Sequence, residues 1–243
     1  EEGEVLRRYC HVGTGNYNPK TARFYDDLGI LSSEPELGED LSRLFNELSG
    51  YSTKHDYSRI LVAPHSLRRE LLAKIAREKK NHLEGKTAWI RLKLNSLLDE
   101  EIIAALYEAA DAGVKIEIIV RGICALQFST QAQRENIKVR SILGRFLEHS
   151  RIYYFKNDGA EEYYIGSADV MHRNLDRRVE ALVRIDLEKH KERLRKILDD
   201  SVSDSYSTWA LLEDNNWQRK VRDFDGNLLV NFQDHFVERH NRA

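Results

Sequence analysis

The sequence contains only two cysteines among its 243 residues, and they lie far apart at Cys10 and Cys124. Neither belongs to a CxxC or CxxH pattern. This argues against a zinc finger and against the disulfide framework of a small secreted protein, and it favours a reducing compartment.

Long apolar runs are also lacking. Runs such as KIEIIVRGICAL are too short to cross a bilayer, so no membrane span is expected. The first residues show no signal-peptide pattern. The first residue is Glu1 rather than methionine, and a motif follows almost at once, so we expect a fragment whose beginning is missing.

A large excess of charge is absent too, because the net charge is −2. Without a global basic field no nucleic-acid partner is expected, and any anion site must be a local cluster. The 41% of hydrophobic residues are enough for a core, and the 32% of charged residues indicate a well-solvated surface. The length suits one large domain, or one domain and a piece of another.

The residue pattern of the sequence changes near residue 56. Residues 1–56 contain many turn residues and close on an amphipathic helix that Gly50 is expected to end. STKHD, at 52–56, is predicted to be a linker. We therefore divide the chain into residues 1–56 and residues 57–243.

From Tyr57 onwards, buried strands alternate with amphipathic helices. The series SRILVAP, helix, AWIRLKL, helix, KIEIIVRG predicts an α/β fold with a parallel sheet and right-handed crossovers. The second helix is predicted to start with a capping box at Ser96 and Asp99. Further strands and two closing helices follow, with a hairpin between RIYYF and EYYIGS.

Two residues have the chemistry of a phosphate site. Arg121 follows the strand EIIV, and open α/β sheets bind ligands at the carboxyl ends of their strands. A surface salt bridge is the alternative. His149 lies between Arg145 and Arg151, whose charge favours a neutral imidazole that suits a nucleophile or an acid. The alternative for His149 is a capping or partly buried histidine.

Two further stretches, CHVGTGNYN and YIGSADVMHRN, each join a histidine to a Gly-Thr or Gly-Ser step. Small residues let backbone N–H groups approach an anion, and Asp169 could orient a histidine. Taken singly, each stretch is only a turn signal. Tyr25 could stack on a nucleotide base or simply pack in a core.

Together these stretches resemble a known family. In order along the chain, YCHVGTGNYNPKTARFYDDLGIL, LVAPHSLRREL, IRLKLNSLLDEEII, IIVRGICAL, FLEHSRIYYF, YIGSADVMHRNLDRRVE and NWQRKVRDFDG are similar to landmarks of bacterial polyphosphate kinase. The relevant type has a phospholipase-D-like catalytic core. The resemblance implies that the γ-phosphate of ATP passes reversibly to polyphosphate through a phosphohistidine.

The resemblance also implies a fold. Residues 57–243 would be the second phospholipase-D-like catalytic domain, with a mixed, largely parallel sheet flanked by helices. Residues 1–56 would be the tail of a similar first domain. The phosphorylated histidine of the family lies in a Thr-His-x-Lys stretch, which this sequence lacks. We therefore expect the nucleophile upstream of this fragment, and we expect the isolated fragment to be inactive.

Roles for particular residues follow from the same resemblance. Tyr25, Arg121 and His149 match positions that contact ATP, with Arg121 and His149 in catalytic roles and His149 as a general acid or phosphate-positioning group. The resemblance gives supporting roles to His11, Thr14, Asn16, Arg151, Ser167, Asp169 and Asn174.

The sequence departs from the wider phospholipase D pattern at two positions, which disfavours an independent phosphodiesterase site. The His-x-Lys element becomes His149-Ser-Arg151, and Lys156 stands where an aspartate would follow. In the polyphosphate kinase family a tryptophan often follows the Gly-Ser-Ala-Asp step, and Val170 stands there instead, which we expect to alter packing more than chemistry.

The expected partners are ATP, ADP and polyphosphate, and the expected cofactor is Mg²⁺ with ligands outside this fragment. The full-length protein is expected to be a cytoplasmic homo-oligomer, with peripheral association at the inner membrane as an alternative location. Two other functions stay open. One is a phospholipase-D-type phosphodiesterase or nuclease, and the other is an inactive anion-binding fragment.

Overall fold

Alternating apolar side chains make the segment Lys115–Val120 a strand that is buried on both faces. Ile116 and Ile118 pack into one core cluster, whereas Ile119 packs into another on the opposite side. Such alternation places successive residues of a strand on the two faces of a sheet. The sheet therefore needs a covering layer on each side. The computed structural model describes residues 7–51 and 56–241, with side chains described up to residue 238.

Within these residues the strands are β1 Cys10–Gly13, β2 Tyr25–Asp26, β3 Gly29–Ser32, β4 Ile60–Ala63, β5 Trp89–Leu94, β6 Lys115–Val120, β7 Ile137–Ser141, β8 Leu147–Glu148, β9 Ile152–Phe155, β10 Glu162–Gly166, β11 Glu180–Ile185, β12 Tyr206–Leu211, β13 Trp217–Lys220 and β14 Val230–Asn231. The α-helices are α1 Pro35–Leu48, α2 Leu67–Leu83, α3 Glu100–Asp111, α4 Gln131–Asn136, α5 Glu188–Val202 and α6 Phe232–Asn241.

The helices cover both faces of one large sheet. Leu71 of α2 and Leu106 of α3 belong to the core cluster on one face. Leu44 of α1, Leu198 of α5 and Phe232 of α6 belong to the cluster on the other. The predicted α/β class and its flanking helices are thus confirmed.

The large sheet is mixed, with strand order β13-β12-β7-β6-β5-β9-β10-β11-β4 and with β14 beside β12. Parallel pairing joins β5 to β6, β6 to β7 and β12 to β14. The other pairings described in this sheet are antiparallel. The mixed sheet is confirmed, but the expectation that it is largely parallel is wrong. Short connections such as that between β9 and β10 join antiparallel neighbours, because a parallel pair needs a long crossover.

The predicted strand–helix–strand–helix–strand series is present, but its strands are not all neighbours. β5 and β6 lie side by side, whereas β4 lies at the far edge beyond β9, β10 and β11. The sequence order of strands therefore does not give their spatial order.

Two small pairs of strands lie outside the large sheet. β1 pairs antiparallel with β3, and β2 pairs in parallel with β8. The second pair joins the amino-terminal part of the chain to the segment that carries His149. The predicted linker at 52–56 lies outside the described residues apart from Asp56.

The start of α3 differs from its prediction. Asp99 is itself the N-cap, and its side chain accepts a hydrogen bond from the Ile102 N–H at 3.0 Å. Ser96 is not part of the cap, because the chain enters the helix three residues later than expected. Of the helices in the described ranges, none combines the length and the apolar character needed to cross a membrane.

Candidate functional site

The pairing of β2 with β8 brings together two residues from distant parts of the sequence. Tyr25 lies opposite Leu147, and the carbonyl of Asp26 accepts hydrogen bonds from the N–H groups of His149 at 2.8 Å and Ser150 at 3.0 Å. The ring of Tyr25 therefore stacks on the imidazole of His149, with 4.2 Å between centroids and 4° between planes.

Arg121 follows β6 directly and lies at the carboxyl end of that strand, as predicted. Its Nε donates to Asn95 Oδ1 at 3.0 Å and to the carbonyl of Glu148. Within the described ranges, neither Nη group of Arg121 has a hydrogen-bond partner, and neither is fully buried. Burial lowers the pKa of Arg121, and the Asp169 carboxylate opposes that effect. The Arg121 guanidinium is therefore fixed through its Nε, whereas its two Nη groups are available to a ligand.

Arg151 is used differently. It is buried, and its Nη2 donates to Asp169 Oδ2 at 2.9 Å while its Nη1 donates to the Thr14 carbonyl at 2.7 Å. Asp169 Oδ1 accepts in turn from the backbone N–H of Asn95 at 2.7 Å. The carboxylate thus forms a direct ion pair with Arg151, whereas Arg121 has no direct ion pair within the described ranges.

The imidazole of His149 is buried and held by its Nδ1. That atom lies 2.8 Å from the Thr14 carbonyl and 3.0 Å from Arg151 Nη1. A carbonyl only accepts, so Nδ1 carries the proton in the tautomer that satisfies Thr14, and Nε2 is then unprotonated. The bond predicted between Asp169 and a histidine is not what holds His149, because the carboxylate binds Arg151 instead.

His149 is neutral near pH 7. Burial, and after it the charge of Arg151, lower its pKa to about 4, while the bond to the Thr14 carbonyl acts in the opposite direction. The sequence argument holds for Arg151, but the second arginine that lowers the pKa is Arg121 rather than Arg145, and burial is the larger cause.

The Gly-Thr-Gly-Asn turn at residues 13–16 holds His149 and Arg151 through the Thr14 carbonyl. Thr14 is buried, and its N–H and Oγ1 both bond to the backbone of Leu28, at 2.8 and 2.9 Å. Its carbonyl is thereby fixed where His149 and Arg151 both donate to it. Asn16 Nδ2 donates to the Tyr25 hydroxyl at 3.4 Å, a long contact.

His11 makes its contacts elsewhere. Its Nδ1 bonds to the Tyr17 hydroxyl, and the two rings meet edge to face with centroids 5.4 Å apart. It lies against Gly29 in a small cavity of about 130 Å³ that also contains Asp27. The structure does not bring His11 into contact with His149.

Ser167 and Asn174 also lie apart from the cluster. The N–H of Ser167 donates to the Ala181 carbonyl at 3.1 Å, and its Oγ accepts from the Ala181 N–H at 3.3 Å. Asn174 is buried and donates to Glu180 Oε1 at 2.6 Å. Asn174 Oδ1 is buried without a partner among the described residues, and neither side chain contacts His149 there.

Asn95 belongs to the site, although sequence reasoning missed it. It joins Arg121 through its side chain to Asp169 through its backbone N–H. Its Nδ2 is buried and has no acceptor among the described residues. The signal was present, because Asn95 follows β5 just as Arg121 follows β6, at the same edge of the sheet.

No metal site is found in the described part of the chain, where no group of three or more His, Cys, Asp or Glu side chains could hold an ion.

The chain is similar to a known protein family and to a solved structure. The family model for polyphosphate kinase C-terminal domain 2 matches residues 60–231, and the model for C-terminal domain 1 matches residues 1–54. The polyphosphate kinase of Streptomyces coelicolor is 52% identical over 242 residues, which are 100% of this chain and 32% of that protein. That of Mycobacterium avium is 48% identical over 239 residues, which are 98% and 32%.

A crystal structure of polyphosphate kinase from Porphyromonas gingivalis superposes with a TM-score of 0.90 at 34% identity. The match covers 99% of this chain and 37% of that one. The chain thus spans about a third of the length of the curated relatives that it matches.

Proposed function

The chain belongs to the polyphosphate kinase family, and from this premise we propose that it supplies the nucleotide-phosphate side of an ATP:polyphosphate phosphotransferase site. In the proposed reaction the bond from the γ-phosphorus to the bridging oxygen of ATP breaks, a P–N bond to a histidine forms, and ADP leaves. In the second half the P–N bond breaks and a terminal polyphosphate oxygen takes the phosphoryl group. Both halves are reversible. We assign the phosphorylated histidine to the protein outside this chain.

One observation carries the proposal. Arg121 has its Nε fixed by two acceptors, while both Nη groups are free of partners in the described residues. A guanidinium held in this way presents a planar pair of donors that fits two oxygens of a phosphate. A bound phosphate would also give Arg121 the direct counter-charge that it lacks among the described residues.

His149 and Tyr25 would act beside this clamp. A neutral imidazole next to an arriving phosphate dianion gains affinity for a proton, because a nearby negative charge favours the charged form. His149 can therefore take up a proton as phosphate binds and return it as charge shifts during transfer. Tyr25 keeps the imidazole plane in place and offers an aromatic surface at the entrance to the site.

The remaining parts of the proposal rest on the family. We propose ATP, ADP and polyphosphate as substrates and products, and Mg²⁺ as the ion that accompanies the nucleotide. Mg²⁺ in such reactions neutralises phosphate oxygens. We further propose a cytoplasmic homo-oligomer for the full-length protein.

The phosphodiesterase alternative finds no support in the site. A phospholipase-D-type reaction uses a lysine two residues after the histidine, and that place is taken by Arg151. Both Nη groups of Arg151 are already bonded, to the Thr14 carbonyl and to Asp169. The residue is a structural link rather than a free phosphate ligand.

The test compares two arginine variants of the full-length protein. With γ-labelled ATP, wild-type protein should acquire acid-labile label on a histidine and pass it to polyphosphate. Arg121→Ala should lower the transfer rate by about 10²-fold or more, as expected for loss of a donor aimed at developing charge. Arg69→Ala, which removes an exposed side chain whose ion pair in the described part of the chain is with Glu70, should leave the rate unchanged.

Three results would contradict the proposal. They are a lack of transfer by wild-type protein, equal rates for the two variants, and label on His11 or His149. The isolated 243-residue chain, tested in parallel, should bind no label covalently.

A further inference from the structure

Gln233 lies in the first turn of α6, and its side chain does not point at solvent. It is 3% exposed, and its Oε1 accepts from the Phe146 N–H at 2.8 Å. Its Nε2 donates to the Phe146 carbonyl at 2.8 Å and to Glu148 Oε1 at 2.7 Å. A primary amide has two N–H donors and one oxygen acceptor, so both donors and the acceptor of the Gln233 side chain are used on this one segment.

The segment that Gln233 holds is the one on which the site depends. The Glu148 carbonyl accepts from Arg121 Nε, and His149 is the next residue along the chain. Leu147 and Glu148 form β8, whose pairing with β2 sets Tyr25 against His149. A shift of Phe146–Glu148 would therefore move all three proposed ATP contacts.

Gln233 is itself anchored independently of that segment. Asn231 Oδ1 accepts from the N–H groups of Gln233 at 2.9 Å and Asp234 at 3.3 Å, which caps the start of α6. Phe232 is buried and packs on Tyr206 of β12 and on Phe236, with ring centroids 5.8 and 4.7 Å away. The Gln233 side chain thus extends from the start of α6, which is itself held in place by these contacts.

The turn before β8 is shaped around this amide. A Cβ added to Gly144 would stand 2.4 Å from Gln233 Oε1 and 2.9 Å from its Cδ. Contacts that short do not occur between real atoms, so a side chain at 144 would push the amide or the turn aside.

We propose that Gln233 is a positioning residue of the candidate site, which it reaches through Phe146–Glu148 rather than by touching substrate. The inference rests on the proposed function. It makes the carboxy-terminal helix α6 part of the catalytic architecture. Gln233 fixes the carbonyl that orients Arg121 and the strand that places His149 on Tyr25.

The chain offers a matched control in a second buried glutamine. Gln133 is also 3% exposed, lies at the start of α4, and links its own surroundings in the same way. Its Oε1 accepts from the Ser129 N–H at 2.9 Å, and its Nε2 donates to Asp111 Oδ2 at 3.1 Å. It touches none of the site residues. Gln133→Met therefore has the general cost of replacing a buried amide by a thioether of similar size, without the proposed link.

The test is made in the full-length enzyme with Gln233→Met, Gln133→Met and wild type. Small displacements of catalytic groups can cost up to about 10²-fold in rate, so Gln233→Met should lower kcat about 10-fold or more. The KM for ATP should change by less than about threefold if ground-state binding is largely kept. Gln133→Met should keep kcat. If Gln233→Met gives no folded protein, Gln233→Asn, which keeps the amide but shortens its reach, is measured in its place.

Coupling to Arg121 separates positioning from general destabilisation. In an Arg121→Lys background, where the fork is already lost, the Gln233→Met change should cost less than in wild type. Independent sites would instead give additive losses. A loss of the same size in both backgrounds would overturn the inference.

A second readout does not depend on activity. Diethyl pyrocarbonate modifies unprotonated imidazoles that it can reach, and His149 is 8% exposed. Modification of His149, followed by peptide mass spectrometry with exposed His82 as reference, should speed up in Gln233→Met and not in Gln133→Met. Inactive wild-type protein would refute the proposed function, but the rate of His149 modification would still test whether Gln233 holds the segment. Equal kcat and equal His149 reactivity in the two variants would refute the positioning role alone.

Discussion

The ring of Tyr25 lies parallel to the imidazole of His149, 4.2 Å away between centroids, because the two-residue strands β2 and β8 pair side by side. The stack covers one face of the imidazole, and the Thr14 carbonyl fixes its Nδ1. The orientation of His149 is thus set by the amino-terminal part of the chain.

Removing the Tyr25 ring should weaken the site, and removing its hydroxyl should not. An aromatic pair contributes about 0.5–1.5 kcal/mol beyond its burial, or about 2- to 10-fold in an equilibrium constant. Tyr25→Ala should lower kcat/KM for ATP by at least this factor. Tyr25→Phe keeps the stack and loses only the long contact to Asn16 at 3.4 Å, so it should stay within about twofold of wild type.

The control for Tyr25 is Tyr51→Ala. Tyr51 is 87% exposed, so this change removes a ring of the same type without touching the stack. Equal kcat/KM values for Tyr25→Ala and Tyr51→Ala would show that the stack does not matter for ATP.

The pH dependence of transfer should show that His149 is neutral in the free enzyme. Burial and Arg151 lower its pKa from its ordinary value of 6.5 to about 4. A group with a lowered pKa stays unprotonated above the new value, so kcat/KM should hold as pH falls through 6.5 and decline only towards 4. Arg151→Gln removes a positive charge and raises the pKa, so its decline should begin at a higher pH.

The control for this profile is His149→Gln, which cannot titrate at that position. Its lower activity should lack the acid decline assigned to His149. Unchanged acid limbs in both variants would assign the decline to another group. The profile is measured as initial rates over pH 4–8, at salt high enough to mask surface charge.

Some of this site follows from sequence alone. Arg121 could be predicted because β6 is a long, strongly apolar strand whose end is unmistakable and whose ligand-binding edge follows a general rule. The same rule points to Asn95, but an uncharged amide attracts less notice than a guanidinium. The α/β class followed from the alternation of strands and helices over residues 57–120.

Other features could not be predicted, because they depend on tertiary contacts between short elements. β2 and β8 have two residues each and leave no periodic signal. The partner of Asp169 is Arg151 rather than a histidine, which depends on how β9 and the turn after β10 approach each other. The roles of Tyr25, Arg121 and His149 in ATP binding stay predictions.

The buried pair beneath the site should be costly to break. Lys93 Nζ and Glu148 Oε2 are 2.6 Å apart, with side chains 2% and 3% exposed. Glu148→Gln leaves a buried ammonium without its counter-charge, which costs about 3–5 kcal/mol. The apparent melting temperature of the full-length protein should fall clearly, and Lys93→Met combined with Glu148→Gln should recover part of the loss.

A surface pair provides the comparison for Glu148. Glu84 lies 2.7 Å from Lys86, with side chains 41% and 46% exposed. Exposed pairs contribute little to stability because water and salt screen them, so Glu84→Gln should leave the melting temperature almost unchanged. A double variant no more stable than Glu148→Gln would mean that the loss comes from the contact between Gln233 and the Glu148 side chain.

The Gly166-Ser167 step should affect stability more than chemistry. A Cβ on Gly166 would stand 1.9 Å from the Ala181 carbonyl oxygen on neighbouring β11, so Gly166→Ala must displace backbone. Overpacking of this kind costs about 1–3 kcal/mol. Ser167→Ala removes only the acceptor of the Ala181 N–H at 3.3 Å. Thermal unfolding should therefore show a clear loss for Gly166→Ala and a small one for Ser167→Ala. Because Ser167 Oγ accepts from the Ala181 N–H and contacts none of Tyr25, Arg121 and His149 in the described structure, transfer activity of Ser167→Ala should stay within about threefold of wild type. A larger fall with unchanged stability would instead place its hydroxyl on phosphate.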